Sequence, residues 1–222
     1  MAGLFVVLNW LLLFKSFQVS SITIGNVSYY LQPIILIILG IFIYNEKLSF
    51  TEWALVLLSF FGLLLTIDIH NLYSPNIVLG ICLALLAAIF YSFVTIIMKK
   101  VTMNYAQVIF IQMISGVILL APFAHFHGFS SVGWQCLLII GLLHTVLAYY
   151  LYYKAIKKTS VTVIAILSYL DPMVAIASDV IFFNRQLNVW QLLGIIITFS
   201  TGYLLVMLHK NHVADYIAVL EN

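Results

Sequence analysis

Eight apolar stretches separated by short polar interruptions fill most of the chain: 1–14, 20–44, 51–69, 77–98, 104–124, 133–153, 159–183 and 189–208. A helix rising 1.5 Å per residue needs about 20 apolar residues to cross about 30 Å of hydrocarbon. Inside lipid every backbone polar group must be paired within its own structure, so runs of this kind become helices. The expected fold is therefore an all-α polytopic membrane protein with about eight transmembrane helices. All segments but the first are long enough to cross, whereas the run before Lys15 amounts to about 21 Å of helix. Composition agrees, because 64% of the 222 residues are hydrophobic and 7% are charged, against about a quarter charged in soluble domains. So little sequence lies outside the spans that a soluble nucleotide-binding, solute-binding or catalytic domain is excluded. Function must sit among the helices.

The net charge of +2 is too small and too dispersed to form a nucleic-acid surface. Its distribution carries more information. Alternating the loops between two sides gathers Lys47, Lys99, Lys100, Lys154, Lys157, Lys158 and Lys210 on one side, and leaves Lys15 and Arg185 on the other. By the positive-inside rule the lysine-rich side is cytoplasmic, which places the C-terminus inside; the membrane expected is the bacterial plasma membrane. No basic n-region or small-residue cleavage site marks Met1–Phe14 as a secretory signal. Cys82 and Cys136 lie within or near apolar runs and are expected to be small buried residues.

Sliding the sequence by 139 residues superposes Lys15 on Lys154, Ser21 and Thr23 on Ser160 and Thr162, Tyr30-Leu31 on Tyr169-Leu170, Pro33 on Pro172, Asn45 on Asn184 and Leu48 on Leu187. This offset contains five spans, an odd number, so the second copy must cross in the opposite sense to the first. Inverted repeats of this kind build secondary transporters around a midplane site. The implied division is an incomplete first repeat over 1–72, a five-span second repeat over 73–208 and a cytoplasmic tail over 209–222. The same arithmetic leaves two spans and part of a third of the first copy unaccounted for. The explanations are a misplaced start codon, a truncated gene or an eight-span variant with a reduced first half, and truncation is favoured.

The pattern of a Pro-centred span followed by Asn45-Glu46-Lys47-Leu48-Ser49 and a further span, repeated once, resembles the EamA-like carriers of the drug/metabolite transporter superfamily. The resemblance implies a ten-span protein of two inverted five-span repeats, of which the third through tenth spans are present here. It also implies transport of small metabolites such as amino acids and amines. Gly62, Gly194 and Gly202 fit small-residue positions of the family. The second half departs from the pattern, with Arg185 where Glu is usual.

Asp171 stands out among individual residues because it lies at the centre of 159–183. A charge at that depth costs about 2.5–3.5 kcal/mol, so it must face a wet cavity, face a partner or hold a proton. The helical period puts Ser168, Asp171, Ala175, Ser178 and Asp179 on one face. Two readings stand: a structural brace, or a cavity wall that binds a cation or proton. Pro33 and Pro172 each remove a helical bond and would leave the carbonyls of Tyr29 and Ser168 open. Repeat symmetry pairs Gln32 with Asp171 as opposed cavity walls. Tyr30 and Tyr169, with Tyr91, offer aromatic faces to a cation, although interface anchoring is the commoner use of tyrosine in membranes. His144, central in 133–153, is a candidate proton relay because imidazole ordinarily titrates near neutrality, or else a buried neutral residue. Glu46 is placed to pair with Lys99 or Lys100 at an inward gate, against the alternative of a solvated loop pair. His125 and His127 lack a third ligand and make a poor metal site.

These residues favour a secondary transporter that moves an amino-acid-like or amine-bearing metabolite by alternating access. The substrate-binding candidates are Asp171, Gln32, Tyr30, Tyr169, Ser168 and His144. Two rivals are a non-transporting fragment or assembly subunit, and a membrane-embedded enzyme using His144 with Asp171; no nucleophile pair or metal cluster supports the latter. No cofactor or metal is expected. The partners expected are the lipid bilayer, a small-molecule substrate and coupled protons, with no nucleic acid, and homodimer formation is left open.

Overall fold

The computed structural model describes residues 1–66, 76–123, 130–183 and 187–220; the side chains of Phe123, His144, Ala175, Asp179, Phe182, Phe183 and residues 209–220 lie outside that description. Its helices in chain order are α1 (Ala2–Val19), α2 (Ile22–Tyr29), α3 (Gln32–Tyr44), α4 (Phe50–Leu65), α5 (Ile77–Lys100), α6 (Tyr105–Leu120), α7 (Ser131–Ile139), α8 (Ala148–Ile156), α9 (Val161–Leu167), α10 (Leu170–Phe183) and α11 (Val189–Leu220). A π-helical stretch, Ile140–Leu147, joins α7 to α8. Among the described residues, six segments are long and apolar enough to cross a membrane: Ala2–Val19, Ile22–Tyr44, Ile77–Lys100, Ser131–Ile156, Val161–Ser178 and Val189–Leu208. Two shorter apolar helices, α4 and α6, accompany them. The chain is an all-α polytopic membrane protein.

Two expectations about lengths are corrected. The first segment does not end at Phe14, because Lys15 is carried within α1 to Val19, giving 18 residues and about 27 Å of helix. At the other end α11 continues to Leu220, so the backbone of the supposed tail prolongs the last helix. The cysteines are corrected too. Cys82 and Cys136 are both exposed, on helix faces where an apolar thiol is compatible with lipid.

Polar inner seams and apolar outer faces organise the bundle. Phe42, Phe50, Val174 and Ile181 are exposed, whereas Asn9, Ser16, Gln32, Ser59, Ser92 and Thr95 are buried. Lipid tails are as apolar as leucine, so helices associate through close backbone approach and interhelical hydrogen bonds. On α5, Ala84, Ala87 and Ala88 are fully buried in the small-residue stripe facing α1. There Ser16 Oγ donates to the Gly80 carbonyl at 2.7 Å. On α4 and α11, Gly62 and Gly194 face each other so closely that a Cβ on Gly194 would strike the Gly62 carbonyl oxygen.

Local signals set the helix ends. Ser49 and Glu52 form a reciprocal capping box at the start of α4. At the start of α11, Asn188 and Gln191 do the same: Gln191 N–H donates to Asn188 Oδ1 at 2.8 Å, and Asn188 N–H to Gln191 Oε1 at 3.1 Å. The two boxes lie 139 positions apart. Ser21 and Ser160, separated by the same offset, cap α2 and α9 through bonds from Ile24 N–H and Val163 N–H. The paired helices run antiparallel. Gln191 near the start of α11 donates to the Thr66 carbonyl at the end of α4, and Thr198 further along donates to the earlier Ser59 carbonyl.

Candidate functional site: a tyrosine cluster at two helix breaks

Two spans are broken at matching places. Tyr30-Leu31 form a turn between α2 and α3, and Ser168-Tyr169 form one between α9 and α10. In each case a proline follows within the first turn of the next helix, where its missing N–H costs nothing. The prolines thus restart helices rather than bend continuous ones. One expected consequence fails: the Ser168 carbonyl is not open, because it accepts from Asp171 N–H at 3.3 Å. The Ser168 hydroxyl is also engaged, donating to Ile164 O at 3.0 Å within its own helix.

The two breaks meet inside the bundle. Tyr169 is buried with Leu63 and Met173, and Tyr30 packs against that cluster with Phe60 and Ile195. Gln32 and Asp171, expected as matched walls, differ in environment: Gln32 is buried against α5, with Ser92 Oγ reaching its carbonyl at 3.4 Å, whereas Asp171 is exposed. Two buried polar atoms here, Gln32 Nε2 and Tyr169 Oη, have no hydrogen-bond partner among the described residues. An unpaired buried polar group typically costs about 1–3 kcal/mol, so each of these atoms would be stabilised by a polar partner.

Around Asp171 the fold assembles tyrosines from several helices. Its carboxylate lies within electrostatic reach of Tyr29, Tyr30 and Tyr152. The Tyr29 ring contacts Tyr91 at 6.4 Å between centroids, and Tyr91 lies close to Tyr152. Tyr152 also meets Thr95 Oγ1 at 3.4 Å. Tyr149 stacks on Tyr153, whose hydroxyl donates to Gln112 Oε1 at 2.7 Å. Asn9, buried in α1, donates through Nδ2 to Tyr29 Oη at 3.0 Å and to the Ala87 carbonyl at 2.9 Å.

Sequence reasoning missed Asn9, Tyr149 and Tyr152 at this cluster and singled out Tyr29 for its backbone carbonyl. The available signals were a lone Asn inside an apolar run and the Tyr149-Tyr150-Leu151-Tyr152-Tyr153 cluster at the end of a span. His144 belongs to the π-helical stretch, but its side chain lies outside the described residues, as do those of Asp179 and Ala175. The histidines at 125 and 127 also fall outside.

Two clefts lie elsewhere. One of about 350 Å³ between α1 and α6 is lined by Val6, Trp10, Met113 and Val117 with Gln112, and another of about 370 Å³ between α10 and α11 by Met173, Val174, Ala177, Ile195 and Phe199. Their apolar walls suit hydrocarbon chains and offer a polar solute almost nothing to bind. The tyrosine cluster, with a carboxylate at its edge, is the better candidate.

At the lysine-rich end a different polar centre appears. Asn45 ends α3 in the left-handed conformation, φ 53°, which asparagine tolerates, and Glu46 N–H returns to Gly40 O at 3.4 Å. The turn directs the Glu46 carboxylate onto the start of α9: Oε1 accepts from Val161 N–H at 2.7 Å, and Oε2 from Thr162 N–H at 2.9 Å and Thr162 Oγ1 at 2.7 Å. These bonds take the place of both the Lys99 or Lys100 link and the solvated loop pair. Lys99 Nζ donates to the Thr159 carbonyl, and both lysines lie over the Tyr44 ring.

The EamA-like transporter family model matches residues 1–68 and 78–207. The chain is 34% identical over 222 residues to the uncharacterized transporter YxxF of Bacillus subtilis (strain 168), a match spanning 97% of this chain and 71% of that protein. It is 24% identical to an S-adenosylmethionine uptake transporter of Rickettsia conorii (strain ATCC VR-613 / Malish 7), over 86% of this chain and 65% of that protein. A similar match, 25% identical, is to an S-adenosylmethionine uptake transporter of Rickettsia felis (strain ATCC VR-1525 / URRWXCal2), over 74% of this chain and 56% of that protein. The chain thus spans less than two thirds of the length of either Rickettsia relative. A solved crystal structure shares the fold at a TM-score of 0.82 and 16% identity, covering 94% of this chain and 76% of that one. With broken helices meeting at mid-bundle, a polar cluster enclosed by apolar outer faces, and a family match over nearly its whole length, this chain belongs to the EamA-like transporter family, whose members are carriers and not enzymes.

Proposed function

We propose that the chain moves a small metabolite bearing an amine or other organic cation across the plasma membrane by alternating access, with Asp171 binding the cationic group. One observation carries this reading. Among the described side chains the acids are Glu46, Glu52 and Asp171, and the first two bond to backbone amides. The Asp171 carboxylate has no hydrogen-bond or ion-pair partner among the described residues, and Tyr29, Tyr30 and Tyr152 lie within its electrostatic reach. A lone anion beside aromatic faces is the chemistry that selects organic cations over anions. Gln32 Nε2 and Tyr169 Oη supply further polar contacts for the rest of the solute. The sulfonium of S-adenosylmethionine, the substrate named for two relatives, belongs to this cation class.

Antiparallel packing of α4 on α11 and their equivalent capping boxes support two inverted halves, divided near residues 72 and 73, that rock about the breaks. The lysine distribution supports a cytoplasmic C-terminus.

The test is uptake of radiolabelled S-adenosylmethionine and L-lysine into proteoliposomes, with and without an imposed pH gradient. Saturable uptake of at least one probe, reduced tenfold or more by Asp171→Asn, is the expected outcome. Flux indifferent to the substitution would remove Asp171 from the site, and flux indifferent to the gradient would remove proton coupling.

A further inference from the structure

Alternating access needs contacts at each end of a bundle that close in one state and part in the other. Glu46 makes such a contact with both carboxylate oxygens, through three bonds to Val161 and Thr162. The acceptor is anionic, so the bonds are of the stronger, charge-assisted kind. They link helices more than a hundred residues apart in sequence and tie α3 to α9, the two helices that lead from the lysine-rich end to the two breaks. Packing beneath them is tight, since a Cβ on Gly40 would lie 2.9 Å from Val161 Cγ1.

The contact has a sequence counterpart that cannot reproduce it. The position 139 residues after Glu46 is Arg185, and those before Val161 and Thr162 are Ile22 and Thr23. Guanidinium carries donors and no acceptor, so it cannot receive the amide hydrogens of Ile22 and Thr23 as Glu46 receives those of Val161 and Thr162.

We propose that Glu46 is a one-sided latch: it holds the lysine-rich end closed, must release Val161 and Thr162 for that end to open, and biases the resting protein toward the state closed there. The latch rests on the alternating-access reading for its purpose. Its existence is tested without substrate.

Spin labels at Lys47→Cys and Lys158→Cys, both exposed at this end, report its opening in a Cys82→Ala/Cys136→Ala background. Double electron–electron resonance on the full chain in lipid should give a predominantly short distance. Glu46→Gln should raise the ratio of long to short distances by about tenfold, the scale set by losing hydrogen bonds to a charged group. Thr162→Val, which removes the hydroxyl bond alone, should shift the ratio the same way by less. An unchanged distribution in a folded Glu46→Gln protein overturns the latch. Should Glu46→Gln not fold, an unchanged distribution in Thr162→Val overturns it instead. A shifted distribution in protein that transports no probe would leave the latch standing while the transport reading falls.

Discussion

Asn9 shows how one side chain can organise a site from outside it. The Ala87 carbonyl can only accept, which fixes the Asn9 amide nitrogen toward it, and the same nitrogen donates to Tyr29 Oη. Tyr29 is thereby left with its own proton to offer the cluster around Asp171. Replacing Asn9 by Leu strips Tyr29 of its partner at a site 2% exposed. The expected loss is about 1–3 kcal/mol in stability, seen as a lower melting temperature in detergent. Tyr29→Phe removes the same bond with less left unpaired and should cost about 1 kcal/mol. In a double-mutant cycle the two changes should couple rather than add; strict additivity would mean that the hydrogen bond contributes nothing.

Capping boxes and glycine contacts set the geometry of α4 and α11. The Ser49 and Asn188 caps are equivalent in position and in bonding pattern, so Ser49→Ala and Asn188→Ala should each destabilise by about 1 kcal/mol. A larger effect is expected at Gly194. A Cβ there meets the backbone oxygen of Gly62 and lies 2.8 Å from Thr66 Cγ2, and backbone cannot rotate away as a side chain can. Gly194→Ala should therefore lower stability by about 1–3 kcal/mol, the range for overpacking, whereas Gly141→Ala, with nothing within 4 Å, should gain or lose a few tenths. Thermal unfolding of the purified variants separates the two cases.

For the whole molecule, the prediction concerns sidedness. Glu46, Lys99, Lys100, Tyr44 and the Thr159 carbonyl come together at one end of the bundle, as alternate loop assignment requires. Single cysteines near Lys15 and Lys154, labelled by an impermeant maleimide in intact cells, should react from opposite faces of the membrane, with Lys154 protected until the cells are opened. Labelling of both from outside would undo the inverted arrangement and with it the shared midplane site.

The apolar runs, the short loops and the 139-residue offset were enough to establish a helical membrane protein of the carrier type, because span length, hydropathy and capping residues act through neighbours in the chain. Asp171 was legible for the same reason: an acid deep in an apolar run is costly wherever it points. The company it keeps was not legible. Whether Gln32 is buried and Asp171 exposed, whether Asn9 reaches Tyr29, and whether Glu46 bonds to lysines or to the amides of Val161 and Thr162 depend on which helix faces meet. Those meetings are fixed by close backbone approach at Gly40, Gly62, Gly80 and Gly194, contacts between residues far apart in sequence whose partners only the packed bundle selects.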